Sequence, residues 1–291
     1  MSLAEHLALG ATTIARAWAL TRADGAVLGF TDHDRDLSFE GITFRADAGL
    51  SARALEQVTG LAVDNSEAVG ALRDAGLTEA DIMAGRYDGA RLRIWQVNWA
   101  DPGQRELLFR GSLGEITRAG GAFRAELRGL SEALNTQGGR VYHAACGAVL
   151  GDGACRVDLD APGFSAEVAV VGVEDGQRVR FAPIDTVAPG WFAQGRAVVQ
   201  SGAAQGLIGH IREDRAEAGA RVISLWEGLR APVVPGDLVR LEAGCDKQAV
   251  TCREKFANLL NFRGFPHIPG DDWMTAYPRA GQPNDGGKRV R

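Results

Sequence analysis

Residues 17–31, Ala17-Trp-Ala-Leu-Thr-Arg-Ala-Asp-Gly-Ala-Val-Leu-Gly-Phe-Thr31, form two apolar runs on either side of Asp24-Gly25. Asp-Gly between such runs signals a tight antiparallel hairpin, because it supplies the positive φ angles that the turn requires. The pattern repeats directly downstream, with Asp36-Leu-Ser-Phe on one arm, Glu40-Gly41 at the bend and Ile42-Thr-Phe-Arg on the return. Farther out, residues 90–99 and 107–117 alternate apolar and polar side chains, Gly120-Gly121 turns the chain, and Phe123-Arg-Ala-Glu-Leu-Arg128 brings it back. A period of two predicts strands with one face buried.

Helical signals are short. The first fifteen residues predict an amphipathic helix, with Ser2 and Glu5 at capping-box spacing and Leu3, Leu7 and Ile14 on one side. A second is predicted over Leu77–Gly85, where Thr78 and Asp81 cap the start and Gly85 supplies a left-handed end. A third is expected over Gly129–Asn135. Residues 161–242 return to strands, with turns at Asp175-Gly176, Ser201-Gly202 and Pro235-Gly236-Asp237, the texture of a small barrel or sandwich.

The predicted fold class is therefore mainly β (β-rich α+β). Two β-barrel-like domains carry short helices and meet at a cysteine-rich junction. The predicted units are an N-terminal β-rich domain at 1–140, a first cysteine segment at 141–160 and an inserted barrel at 161–242. A second cysteine segment at 243–278 packs back on the first, and 279–291 forms a flexible, basic tail.

With 45% hydrophobic and 24% charged residues, the 291-residue chain is excluded from the disordered and fibrous classes. A net charge of −5 offers no global basic field for holding nucleic acid. No apolar stretch approaches the roughly 20 residues of a membrane span, so no membrane anchor is expected. The start carries neither a positive n-region nor a small-residue cleavage site, so synthesis and folding in the cytoplasm are expected.

The four cysteines fall in two pairs: Cys146 and Cys155 with eight residues between them, Cys245 and Cys252 with six, and 89 residues between the pairs. Four thiolates suffice to close one site, which would staple the two sides of the inserted domain and close an excursion of some ninety residues. Unrelated buried thiols remain an alternative, and disulfides are disfavoured in a reducing compartment. Structural zinc usually takes tighter C-x2–4-C knuckles, whereas an iron–sulfur cube with four cysteine ligands tolerates wider spacing. Lys247, Arg253, Lys255 and Arg263 outnumber Asp246 and Glu254 near the second pair and would offset a negative cluster, while Phe256, Phe262 and Phe265 would exclude water.

Other chemistry is weak. Asp32, Asp34 and Asp36 around His33 open like a calcium loop, but Leu37 and Thr43 stand where Gly and Glu are needed, so a polar strand end is the better reading. His6, His33, His143, His210 and His267 are dispersed, and no catalytic motif is present. The catalytic set is empty.

Cys245-Asp-Lys-Gln-Ala-Val-Thr-Cys252 through Asn258-Leu-Leu-Asn261-Phe-Arg-Gly-Phe-Pro266 and on to Pro269-Gly270 resembles the C-terminal signature of phage tail-tip hub proteins. Residues 18–25, Gly29 to Leu37, Leu61-Ala-Val-Asp-Asn65 and Gly147 to Cys155 resemble the same family in the same order. The likeness extends to the hub of gene transfer agents, which are domesticated tailed-phage particles. It reaches the minor tail protein L of lambda-like phages, a protein with a related cysteine pattern and a [4Fe–4S] cluster.

The resemblance implies that Cys146, Cys155, Cys245 and Cys252 ligate a [4Fe–4S] cluster, with Zn2+ as the alternative ion. It implies a homotrimer joining a six-fold distal tail protein ring to a three-fold tail fibre or central tip (megatron-like) protein, with a tail-associated cell-wall peptidase as a further partner. DNA would be met only in transit, along a channel whose wall suits a net acidic chain. The expected role is structural, located in the cytoplasm during assembly and then at the particle's tail tip. An iron–sulfur-dependent enzyme and a zinc-stapled interaction module are the alternatives.

Overall fold

The hairpin over residues 17–31 is formed by β1 (Ile14–Thr21) and β2 (Val27–Thr31), which pair antiparallel from Ala17↔Thr31 to Thr21↔Val27. Gly25 takes the predicted positive φ of 86°. β3 (Leu37–Phe39) and β4 (Ile42–Arg45) make the second hairpin, whose two turn residues, Glu40 and Gly41, both have positive φ. The computed structural model describes residues 3–46, 50–51, 65–71, 78–119, 122–130, 138–139 and 141–268. Most of the 61–65 motif, the helix expected beyond residue 130 and the basic tail lie outside the described residues.

The first sheet is completed by β5 (Leu50–Ser51), β6 (Asn65–Ala71), β7 (Arg91–Asn98), β8 (Arg105–Ala119) and β9 (Ala122–Gly129). Its order is β3-β4-β2-β1-β7-β8-β9-β6-β5, open at both ends among the described strands. Central strands β1 and β7 are covered on both faces. Trp18, Leu20, Leu92 and Ile94 pack on one side with Phe30 and Tyr87. Ala15, Ala17, Ala19, Trp95 and Val97 pack on the other with Phe39 and Phe44. The small alanines leave room for the aromatic trio, in which Phe39 stacks on Phe44 at 4.2 Å and Trp95 stands edge-on to both.

The N-terminal helix α1 spans Leu3–Leu7 and does not extend to residue 15. Gly10 and the β-branched Thr12-Thr13-Ile14 oppose helix continuation, and Ile14 is instead recruited opposite Asn98 as the first residue of β1. Nε2 of the buried His6 lies 3.0 Å from the Thr13 nitrogen and anchors the connection. α2 (Glu79–Met83) forms as the capping pattern requires, with the Asp81 N–H donating to Thr78 Oγ1 at 3.2 Å and Gly85 at φ 72°.

The second unit is a closed six-stranded barrel. It contains β10 (Ser165–Glu174), β11 (Arg178–Phe181), β12 (Arg196–Val199), β13 (Ile208–Glu217), β14 (Ala220–Leu225) and β15 (Leu238–Glu242), in the order β10-β11-β14-β13-β12-β15. Its first and last strands pair with each other, Ser165 opposite Glu242, so the chain enters and leaves the barrel at one point. The barrel core holds Val170, Phe181, Phe192, Ile211, Ile223, Leu225 and Leu241. Inside it Arg221 is bonded to Asp214 and also donates to the carbonyls of Val187 and Ala188, while Asp214 accepts the Phe192 N–H at 2.9 Å. That network fastens the long β11–β12 connection to the wall. The mainly β class with a few short helices is the observed one, with the barrel closed and the first unit an extended sheet.

Candidate metal centre

Where the barrel closes, the two cysteine segments emerge side by side. The Ala243 N–H donates to the Phe164 carbonyl at 2.8 Å, continuing the β10–β15 pairing outward. The segment then reaches Cys245, and α3 (Ala249–Glu254) places Cys252 one turn farther on. From the other side, residues 146–155 fold back on this segment. The Cys146 N–H donates to the Lys247 carbonyl at 2.9 Å, and Lys247 Nζ donates to the Ala148 carbonyl at 2.6 Å.

The result brings all four predicted cysteines to one cavity, with Ala148, Leu150, Val157, Phe256 and Phe262 in its wall. All four are free thiols, Cys155 and Cys252 buried and the other two half-buried. The space enclosed is about 320 Å³ together with its opening. Burial pushes the Cys245 and Cys252 thiols up from their ordinary range. An apolar-walled site of this kind opposes bare thiolates, and a bound cation would reverse that balance. Among the described residues no group of three or more His, Cys, Asp or Glu side chains is set to hold a metal ion as the atoms stand. The four cysteines line the same cavity.

Several supports were not evident from spacing. Asp152, in the Gly-Asp-Gly turn, accepts three backbone N–H groups: Val149 and Ala154 at 2.9 Å and Cys155 at 2.6 Å. Those bonds, the Cys155 one foremost, hold its carboxyl below the usual carboxylate range. An aspartate three residues before a cysteine in a glycine-flanked turn is a local capping signal that the sequence does carry. Asn258 reaches across to donate from Nδ2 to the Cys155 carbonyl at 2.6 Å.

The basic residues divide. Lys247 lines the cavity, whereas Lys255 turns its ammonium to the Trp191 and Gly244 carbonyls at 2.6 and 2.8 Å, 4.3 Å from the Trp191 ring centre. Burial lowers the Lys255 pKa. Arg253 is exposed and paired with Glu254, so it is a solvated charge. Of the phenylalanines, Phe256 and Phe262 line the cavity, but Phe265 packs on Tyr142 at 4.7 Å.

The remaining expectations fall into place locally. Asp32 accepts the Arg16 N–H, Asp36 accepts the Ala46 N–H, and Asp34 pairs with His33, so the three carboxylates serve three different partners at a strand end. Among the described residues no helix is long and apolar enough to cross a membrane.

Comparison with known proteins gives two family matches. The family described as "Baseplate hub protein, N-terminal attachment domain" matches residues 1–158, more than half of the chain. The chain belongs to the baseplate hub protein family. A second family, described as "Phage conserved hypothetical protein BR0599", matches residues 190–272, which take in β12–β15 and the second cysteine pair of this hub protein. A solved chain described as "Virion of native gene transfer agent (GTA) particle" is 57% identical and superposes with a TM-score of 0.91 over 98% of each chain. No curated protein matches the chain. The hub protein is thus a tail-hub component of the phage or gene transfer agent type.

Proposed function

We propose that this hub protein is a structural trimer at a tail tip and that its two units are clamped together by a [4Fe–4S] cluster. Cys146, Cys155, Cys245 and Cys252 are the proposed ligands, and the group would supply four iron–thiolate bonds between the segments on either side of the barrel. The supporting observation is the convergence of both cysteine pairs, from 89 residues apart in sequence, on one apolar-walled cavity. The donor set suits the group: four thiols are normal ligation for a cube, and apolar walls limit solvent access. Four cysteines for one cube leave no iron corner open for a substrate, which favours a structural role over an enzymatic one.

In the assembled particle the trimer would join the six-fold distal tail ring to the three-fold central tip or fibre protein, with a cell-wall peptidase as a neighbour, and line the path of DNA in transit. Anaerobic purification with iron and sulfide analysis tests the centre: about four of each per chain is expected. A colourless protein with stoichiometric zinc would replace the cube by a single-ion staple. Imaging of the assembled tail tests the three-fold position.

A further inference from the structure

We infer that Asn258 is a positioning residue that tunes the proposed metal centre through a hydrogen bond to one ligand sulfur. The inference rests on the cluster reading above. Nδ2 of Asn258 lies 3.7 Å from Cys155 Sγ while donating to the Cys155 carbonyl. Its Oδ1 accepts from Asn261 Nδ2 at 2.7 Å, so a carbonyl on one side and an amide on the other hold its orientation. Asn258 is therefore braced by the turn that follows α3 and aimed at a ligand 103 positions earlier in the chain.

The four sulfurs are not equivalent. Cys146 Sγ receives the Arg263 backbone N–H at 3.4 Å, and Cys245 receives that of Lys247. Cys155 receives the Asn258 amide. Cys252 Sγ instead faces the Asn258 carbonyl at 3.4 Å, an arrangement that suits a thiol and opposes a thiolate. One residue thus addresses both corners contributed by buried cysteines, with a donor at one and an acceptor at the other. Hydrogen bonds to ligand sulfur stabilise added negative charge and so raise a cluster's reduction potential. Of these three donors, Asn258 supplies the one from a side chain, and it can be deleted without moving the backbone's sequence.

The test uses the full chain, loaded anaerobically and titrated with dithionite through mediator dyes. Asn258→Leu keeps similar volume and adds no charge. Its potential is expected to be more negative than that of the natural chain, with iron released to a chelator about tenfold faster. Asn258→Gln, which retains the N–H, should recover part of the shift. Asn261→Ala, which removes the brace, should show a smaller change of the same sign. A loaded Asn258→Leu protein with an unchanged or more positive potential overturns the inference, and if that variant does not load, an unchanged potential in Asn261→Ala does so. A natural chain without iron and sulfide overturns the cluster reading and this inference together.

Discussion

Gly264 shows how one missing methyl group lets the two cysteine segments approach. A Cβ at this position would stand 2.5 Å from the Ala145 carbonyl oxygen and 2.6 Å from that of Ala144, both backbone atoms that cannot swing away. The flanking bonds, Phe265 N–H to the His143 carbonyl at 2.9 Å and Gly147 N–H to the Arg263 carbonyl, depend on that closeness. Gly264→Ala is expected to cost about 1–3 kcal/mol, the usual penalty of overpacking. Urea unfolding would measure it, and hydrogen exchange would show residues 143–147 losing protection. Tyr87 gives a residue-scale pH dependence. Its hydroxyl is buried, and burial raises its pKa above the ordinary value near 10. As pH rises past about 10, the unfolded chain ionises first, so the stabilisation present below that pH is lost on the way to the folded-state value. Base-induced unfolding should therefore begin at lower pH in the natural chain than in Tyr87→Phe, as followed by circular dichroism.

At the scale of elements, the hairpins were readable because their turn chemistry is local: Asp24-Gly25 and Glu40-Gly41 specify the bends regardless of what covers the strands. The N-terminal helix was overestimated for the opposite reason. Ile14 has the spacing of a helical face, yet pairing with β7 claims it for a strand. The β11–β12 connection was legible as irregular, but its anchor was not. Asp214 and Arg221 are an unremarkable acid and base on neighbouring strands until the barrel closes around them. Their side chains are then 0% and 3% exposed, and the guanidinium is held by that carboxylate and by the Val187 and Ala188 carbonyls. Asp214→Ala would strand the guanidinium in the interior and is expected to cost about 3–5 kcal/mol. A double variant with Arg221→Leu should recover part of that loss, measured by denaturant unfolding. The effect should propagate outward, because the same connection carries the Trp191 carbonyl that receives Lys255.

For the whole molecule, barrel closure changes what the proposed staple would do. The ninety-residue excursion between the cysteine pairs is already closed by β10 and β15, Ser165 opposite Glu242. A bond between the cysteine pairs therefore acts on the short links at 156–164 and 243–244, and the loop-entropy gain is far smaller than the sequence separation suggests. The two β cores and the cysteine cluster are separate sets of buried residues. Replacing Cys155 and Cys252 together by serine should accordingly leave far-UV circular dichroism close to that of the natural chain. Proteolysis within 141–159 should accelerate, because the proposed clamp would be lost while both units persist. A global loss of β signal in that variant would show that the units depend on the clamp to fold.

The sequence by itself determined the strands, their tight turns and the four residues gathered at the candidate centre, because alternation, turn chemistry and chemically distinctive cysteines are properties of neighbours along the chain. Only the tertiary structure decided which side chains serve those cysteines. Asp152 and Asn258 are ordinary polar residues, one marked by a local turn and the other by nothing local. Their roles arise from backbone N–H groups, a carbonyl and a sulfur that the fold brings within hydrogen-bond reach. It also decided that the inserted unit closes on itself, since pairing Ser165 with Glu242 is a contact between residues 77 positions apart that no local pattern encodes.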